Sequence, residues 1–212
     1  MAKTSFIVAC VFSILIQSGC EKSELVLPPS PVPVSEISGR IVDWQFGDSM
    51  TVSATTAILG TGTSYVLASS SVRGDGTFHL SLTTPPPSTL RNFTDPLDTV
   101  SDVEARVMFL PVLDLSNPGG STSYLIQNME SHKSQEPSEP YVMYSYIYAD
   151  RPLTWRRTDI GGPPDTLTIV GDLELAEGWN REVARTQVLP TGKVLVTARI
   201  ESSQARTWYI IP

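Results

Sequence analysis

From Ile37 to the end of the chain the apolar residues come in short runs that alternate with polar ones, and Gly, Pro, Asp and Ser clusters separate the runs. That spacing leaves no room for a helix of useful length and dictates an all-β protein. Ile37 to Trp44, Met50 to Thr56, Ser64 to Ala68 and Thr77 to Leu82 read as strands rich in β-branched and aromatic residues. Gly74-Asp75-Gly76 is the sharpest turn signal, because Asp-Gly accepts positive φ. Beyond it, Phe78 and Leu80 point one way while Thr77, His79 and Ser81 point the other. Pro85-Pro86-Pro87 ends this first group.

The remainder repeats the pattern. Asp95 can cap a single helical turn with Pro96 at its first position, and a strand follows through Val103, Ala105, Val107 and Phe109. Asp114 to Pro140 reads as a long polar link in which only Tyr124-Leu125-Ile126 makes a brief strand. Tyr141 to Ala149 is the most aromatic strand: Val142, Tyr144, Tyr146 and Tyr148 share one face, and Tyr141, Met143, Ser145 and Ile147 the other. It reads as a sandwich strand with both faces mostly covered and its hydroxyls reaching the rim. Thr166 to Leu175, Trp179 to Leu189, Lys193 to Glu201 and Thr207 to Ile211 complete the set. Leu175 and Gly178 bracket what looks like a hairpin whose Trp179 returns to the core, and the Arg156-Arg157 pair is expected in solvent. The expected architecture is an antiparallel β-sandwich, either one large sandwich or two packed units, divided at residues 36–84 and 85–212. About 49 residues on the N-terminal side are few for an independent core, which favours one continuous fold.

Two resemblances bear on this fold. Gly39-Arg40-Ile41-Val42, Val52, Ala54 and Asp75-Gly76-Thr77-Phe78-His79-Leu80 resemble the carboxypeptidase regulatory-like, or transthyretin-like, β-sandwich segment. That resemblance implies an accessory or adhesive module without catalysis of its own. Tyr148 to Pro152, Asp172 to Leu175, Gly178-Trp179-Asn180 and Trp208-Tyr209 resemble bacterial lipoproteins of unassigned activity.

Upstream of the strands the chain has the form of an export signal. Lys3 precedes an apolar run from Phe6 to Ile16, and Gln17-Ser18-Gly19-Cys20 follow at once. A run of 11 residues, ten of them apolar, is too short for a bilayer that takes about 20. Ser18-Gly19-Cys20 resembles the bacterial lipobox, which implies removal of residues 1–19 and diacylation of Cys20. Residues 20–35 contain Pro28, Pro29, Pro31 and Pro33 among serines and acids, a composition for an extended tether. Glu21 after the cysteine leans towards the outer membrane or the cell surface. With Cys10 lost and Cys20 acylated, no disulfide remains, so a hydrophobic core alone must hold the fold.

Charge narrows the partners. The chain has 15 basic and 22 acidic residues, a formal −7; without Lys3 the balance is 14 against 22, or −8. No basic block exists for nucleic acid, and membrane association would rest on acyl chains. The sequence contains no GxSxG elbow, no HExxH and no phosphate-cradling glycine loop, and His79 and His132 stand without acidic neighbours at ligand spacing. The acids around Asp95 to Glu104, and Asp43 with Asp48 beside Trp44, lack EF-hand spacing. No metal, cofactor or catalytic residue is therefore assigned. The expected role is that of a membrane-anchored envelope lipoprotein, structural or partner-binding and not an enzyme. The alternative is a glycan or small-ligand binder using Tyr144, Tyr146, Tyr148 and Trp155, and an envelope hydrolase ranks third.

Overall fold

The computed structural model describes residues 32–58, 63–93, 98–119, 123–130, 141–161, 167–202 and 207–211. The chain forms β1 (Glu36–Ile41), β2 (Thr51–Ala57), β3 (Ser64–Ser71) and β4 (Thr77–Ser81), then a single 3-10 turn at Pro87–Thr89. Next come β5 (Arg91–Asn92), β6 (Thr99–Val100), β7 (Arg106–Leu110), β8 (Leu113–Ser116), β9 (Ser123–Met129) and β10 (Val142–Ala149). Last are β11 (Leu153–Gly161), β12 (Leu167–Leu175), β13 (Gly178–Val188), β14 (Val194–Ile200) and β15 (Thr207–Ile211). The all-β class follows from the sequence pattern, and the protein has it.

Hydrogen bonds join all fifteen strands into one mixed network. One run is ordered β3-β2-β8-β9-β15-β1-β4, and β3 and β4 at its ends come back beside each other, where Thr83 Oγ1 donates to the Leu67 carbonyl at 2.8 Å. The other run is β7-β10-β13-β14-β12-β11-β6, with β5 on the outer edge of β7. The two meet where Met129 and Asn128 of β9 pair with Met143 and Tyr144 of β10. Two pairings, β1 with β15 and β12 with β14, are parallel, so the sheet is not purely antiparallel. The strands of residues 36–84 do not close on themselves: β8, β9 and β15 stand between β2 and β1.

Strand β10 lies between two cores. Tyr146 and Tyr148 enter a cluster with Ile37, Leu80, Leu115, Ile126, Trp179 and Trp208. Ile147 and Ala149 enter another with Val107, Trp155, Leu173 and Ala198. Each fully buried large apolar side chain contributes about 1.5–3 kcal/mol relative to exposure, so burial on both faces holds β10 in the middle of the fold.

Several local expectations change. The polar link after Asp114 contains β8 and a full-length β9, because Leu113 and Leu115 alternate with Asp114 and Ser116 and bury their side chains. β7 starts at Arg106, since Asp102 closes a turn by accepting the Glu104 N–H at 2.9 Å, and Val103 is left exposed. β12 and β13 are not a hairpin: β14 pairs with both, and the chain arches over its end while Trp179 still reaches the core. Arg156 is indeed in solvent beside Asp172, but Arg157 pairs with Glu182 at 3.4 Å and sits 5.5 Å from the Trp155 ring. The Asp95-Pro96 turn lies outside the described residues.

Candidate functional site

The four aromatic residues that the alternative reading would place on one binding face do not share a surface. Tyr144, Tyr146 and Tyr148 are 4%, 1% and 8% exposed. Trp155, at 3%, lies in the opposite core against Phe93 and Phe109. The tyrosine stripe is covered because β10 is a central strand, paired along both edges and packed on both faces. Its hydroxyls serve the interior: Tyr144 donates to Glu130 Oε1 at 2.7 Å, and the Tyr146 hydroxyl lies against Arg181 and Asn128. Cys20 and His132 lie outside the described residues; His79 is exposed, 3.6 Å from Glu36 Oε2.

Burial, the hydrogen bond to Glu130 and the nearby negative charge push Tyr144 up to about 12, and burial also raises Tyr146. A raised tyrosine keeps its proton in the folded chain after the unfolded chain has lost it. The associated stability is fully present below about pH 10 and is lost as pH rises from there towards about 12. In absorbance titrations compared with Tyr144→Phe and Tyr146→Phe, these two tyrosines are expected to ionise only above the ordinary tyrosine range, together with loss of fold. Ionisation of Tyr144 and Tyr146 near pH 10, with the fold intact, would contradict this placement.

A concave site lies elsewhere, where β1 leaves the sheet. Arg40 of β1 stands beside Thr77 of β4 and Thr207 of β15 in register. Two backbone bonds anchor the end of β1: Ile41 N–H to the Gly76 carbonyl at 3.0 Å and Val42 N–H to the Trp208 carbonyl at 2.8 Å. Asp43 then turns the chain in the left-handed region, at φ 53°, where few residues other than glycine, asparagine and aspartate settle. This turn sets Trp44 over the 73–77 turn so closely that a Cβ on Gly76, itself at φ 80°, would meet the Trp44 Cβ at 2.8 Å. Trp44 donates Nε1 to the Gly47 carbonyl at 2.9 Å and packs edge-on against Phe46 at 5.2 Å.

Between these parts is an open hollow of about 500 Å³ lined by Arg40, Asp43, Trp44, Gly74, Asp75 and Thr207 among others. Arg40 Nε donates to the Asp75 carbonyl at 3.0 Å. Asp75 Oδ1 accepts from Thr77 Oγ1 at 2.7 Å and from Thr77 N–H at 3.0 Å, and these bonds hold its carboxyl below the usual range. Among the described residues the Asp43 carboxylate and the terminal nitrogens of Arg40 have no hydrogen-bond partner. No group of three or more His, Cys, Asp or Glu side chains able to hold a metal ion occurs among the described residues.

Asp43, Trp44 and the Gly74-Asp75-Gly76 turn are each visible in the sequence, but nothing local says that they meet. The long-range pairing of β1 with β4 and β15 brings Arg40, Asp75 and Thr207 together. Comparisons with protein-family models, curated proteins and solved structures find no match for this chain.

Proposed function

We propose that this chain is a lipid-anchored protein of the bacterial cell envelope, acting as a structural or partner-binding component and not as an enzyme. The observation that carries the reading is the sequence from Lys3 to Cys20, in which an apolar run too short for a bilayer ends at Ser18-Gly19-Cys20. The proline-bearing stretch behind it supports the same reading. It reaches the folded domain at Val34, whose N–H donates to the Trp179 carbonyl at 2.6 Å, two residues before β1 begins. Such a tether holds the strands clear of the membrane. The anchor itself is acyl chains on Cys20, each buried methylene contributing about 0.8 kcal/mol, and two chains are needed for stable attachment. Among the described residues no helix is long and apolar enough to cross a membrane.

Phase partitioning of the protein made in a bacterial host tests this. The wild type is expected in the detergent phase and Cys20→Ser in the aqueous phase. Both in the aqueous phase would remove the anchor; both in the detergent phase would assign attachment to the apolar run.

A further inference from the structure

We propose that the hollow at the end of β1 is a binding site for a neutral sugar ring. Its volume, about 500 Å³, is within the range of small-ligand sites, roughly 300–1,000 Å³. The lining selects among ligand classes. Arg40 is outnumbered there by Asp43 and Asp75, so an anion meets net repulsion. Two carboxylates, one of them engaged with Thr77, are too few to desolvate a divalent cation. An apolar ligand would leave Asp43 and Arg40 stripped of water without replacement bonds.

A sugar ring satisfies all of these groups at once. Its hydroxyls donate to the Asp43 carboxylate and accept from the Arg40 terminal nitrogens and Thr207 Oγ1. Its C–H face covers part of the half-buried Trp44 ring. The site is also built before any ligand arrives. Trp44 is fixed by its bond to Gly47, by Phe46 and by the close approach of Gly76; Arg40 is fixed by its bond to Asp75. Asp43 is held in a backbone region that costs energy, a feature that recurs at ligand sites. Preorganisation of this kind lowers the ordering cost of binding. The inference holds whether or not Cys20 is acylated.

The test uses the full chain in detergent micelles with labelled tryptophan, whose four indole N–H groups report separately on Trp44, Trp155, Trp179 and Trp208. The Trp44 signal is identified by its loss in Trp44→Phe and, independently, by its proximity to the Phe46 ring. Glucose, galactose, mannose and N-acetylglucosamine are titrated one at a time, with glycine and sodium sulfate as zwitterionic and anionic comparisons. At least one sugar is expected to shift the Trp44 signal saturably, with a dissociation constant on the order of 1 mM, while the other three signals stay. Asp43→Asn and Arg40→Met, both at exposed side chains, are expected to weaken that binding about tenfold each while the unliganded Trp155, Trp179 and Trp208 signals stay where they are in the wild type. The proposal is overturned if no sugar moves the Trp44 signal, if glycine or sulfate moves it instead, or if both variants bind as the wild type does.

Discussion

Trp208→Ala is expected to lower the stability of the domain by about 3–5 kcal/mol, the cost of truncating a large buried aromatic. The side chain is 1% exposed and packs edge-on against Phe78 with ring centroids 5.4 Å apart. Its position magnifies the loss. Trp208 stands in register with Ile41 of β1 on one side and Asn128 of β9 on the other, so β15 joins the first strand of the domain to the middle of the chain. Its carbonyl also receives the Val42 N–H that ends β1. A cavity here loosens both neighbours at once. Urea denaturation followed by far-ultraviolet circular dichroism reads the effect as a lower midpoint with the slope unchanged. Trp208→Phe, which retains most of the apolar volume, is expected to lose less than half as much. Equal stability of Trp208→Ala and the wild type would mean that β15 is not packed between β1 and β9.

Asn180→Ala is the second large effect and acts through polar groups. Asn180 is 1% exposed, and its carboxamide substitutes for a backbone pairing that the arch between β12 and β13 cannot make. Its Oδ1 accepts the Ala176 N–H at 2.9 Å, and its Nδ2 donates to the carbonyls of Ala176 at 2.9 Å and Gly178 at 3.0 Å. Alanine leaves these groups without that partner, at roughly 1–3 kcal/mol for each one that water cannot reach. A total loss of about 2–5 kcal/mol is expected on the same scale. Because the arch delivers Trp179 to the first core, the near-ultraviolet circular dichroism of Asn180→Ala should weaken as well. A loss below about 0.5 kcal/mol, the size of an ordinary surface change, would contradict the role given to this side chain.

How much of this fold can be read from the residues depends on the range of the interaction. Alternation is local, so the inward Phe78 and Leu80, the Gly76 turn and the two covered faces of β10 are all legible. The short apolar-polar pattern Leu113-Asp114-Leu115-Ser116 carries the same signal for β8, masked by the prolines, glycines and serines that follow. β11 is harder, because Arg157 occupies a core-facing position where a strand pattern calls for an apolar residue. Its guanidinium is tolerated there by Glu182 and by the faces of Trp155 and Phe109. Pairing order was the least accessible: whether β1 receives β15 in parallel, or β14 inserts between β12 and β13, is decided by which apolar faces fit across the whole chain.

The same distinction explains the site. The tyrosines of β10 suggest a binding face as an alternative because alternation puts them on one side, and their near-complete burial, with Tyr146 and Tyr148 in the first core, excludes it. The hollow is made from the end of one strand, a turn and the start of another, each unremarkable alone. Asp43 is the exception, since its positive φ is a local irregularity, but the sequence around it, Val42-Asp43-Trp44-Gln45, carries no turn signature that would have revealed it.

The lipid anchor is tested most directly by the intact mass of the protein recovered from bacterial membranes. The expected species is a chain that begins at Cys20 and carries a diacylglyceryl group, with no such species from Cys20→Ser. A mass equal to the unmodified chain, cut elsewhere or not at all, would contradict it.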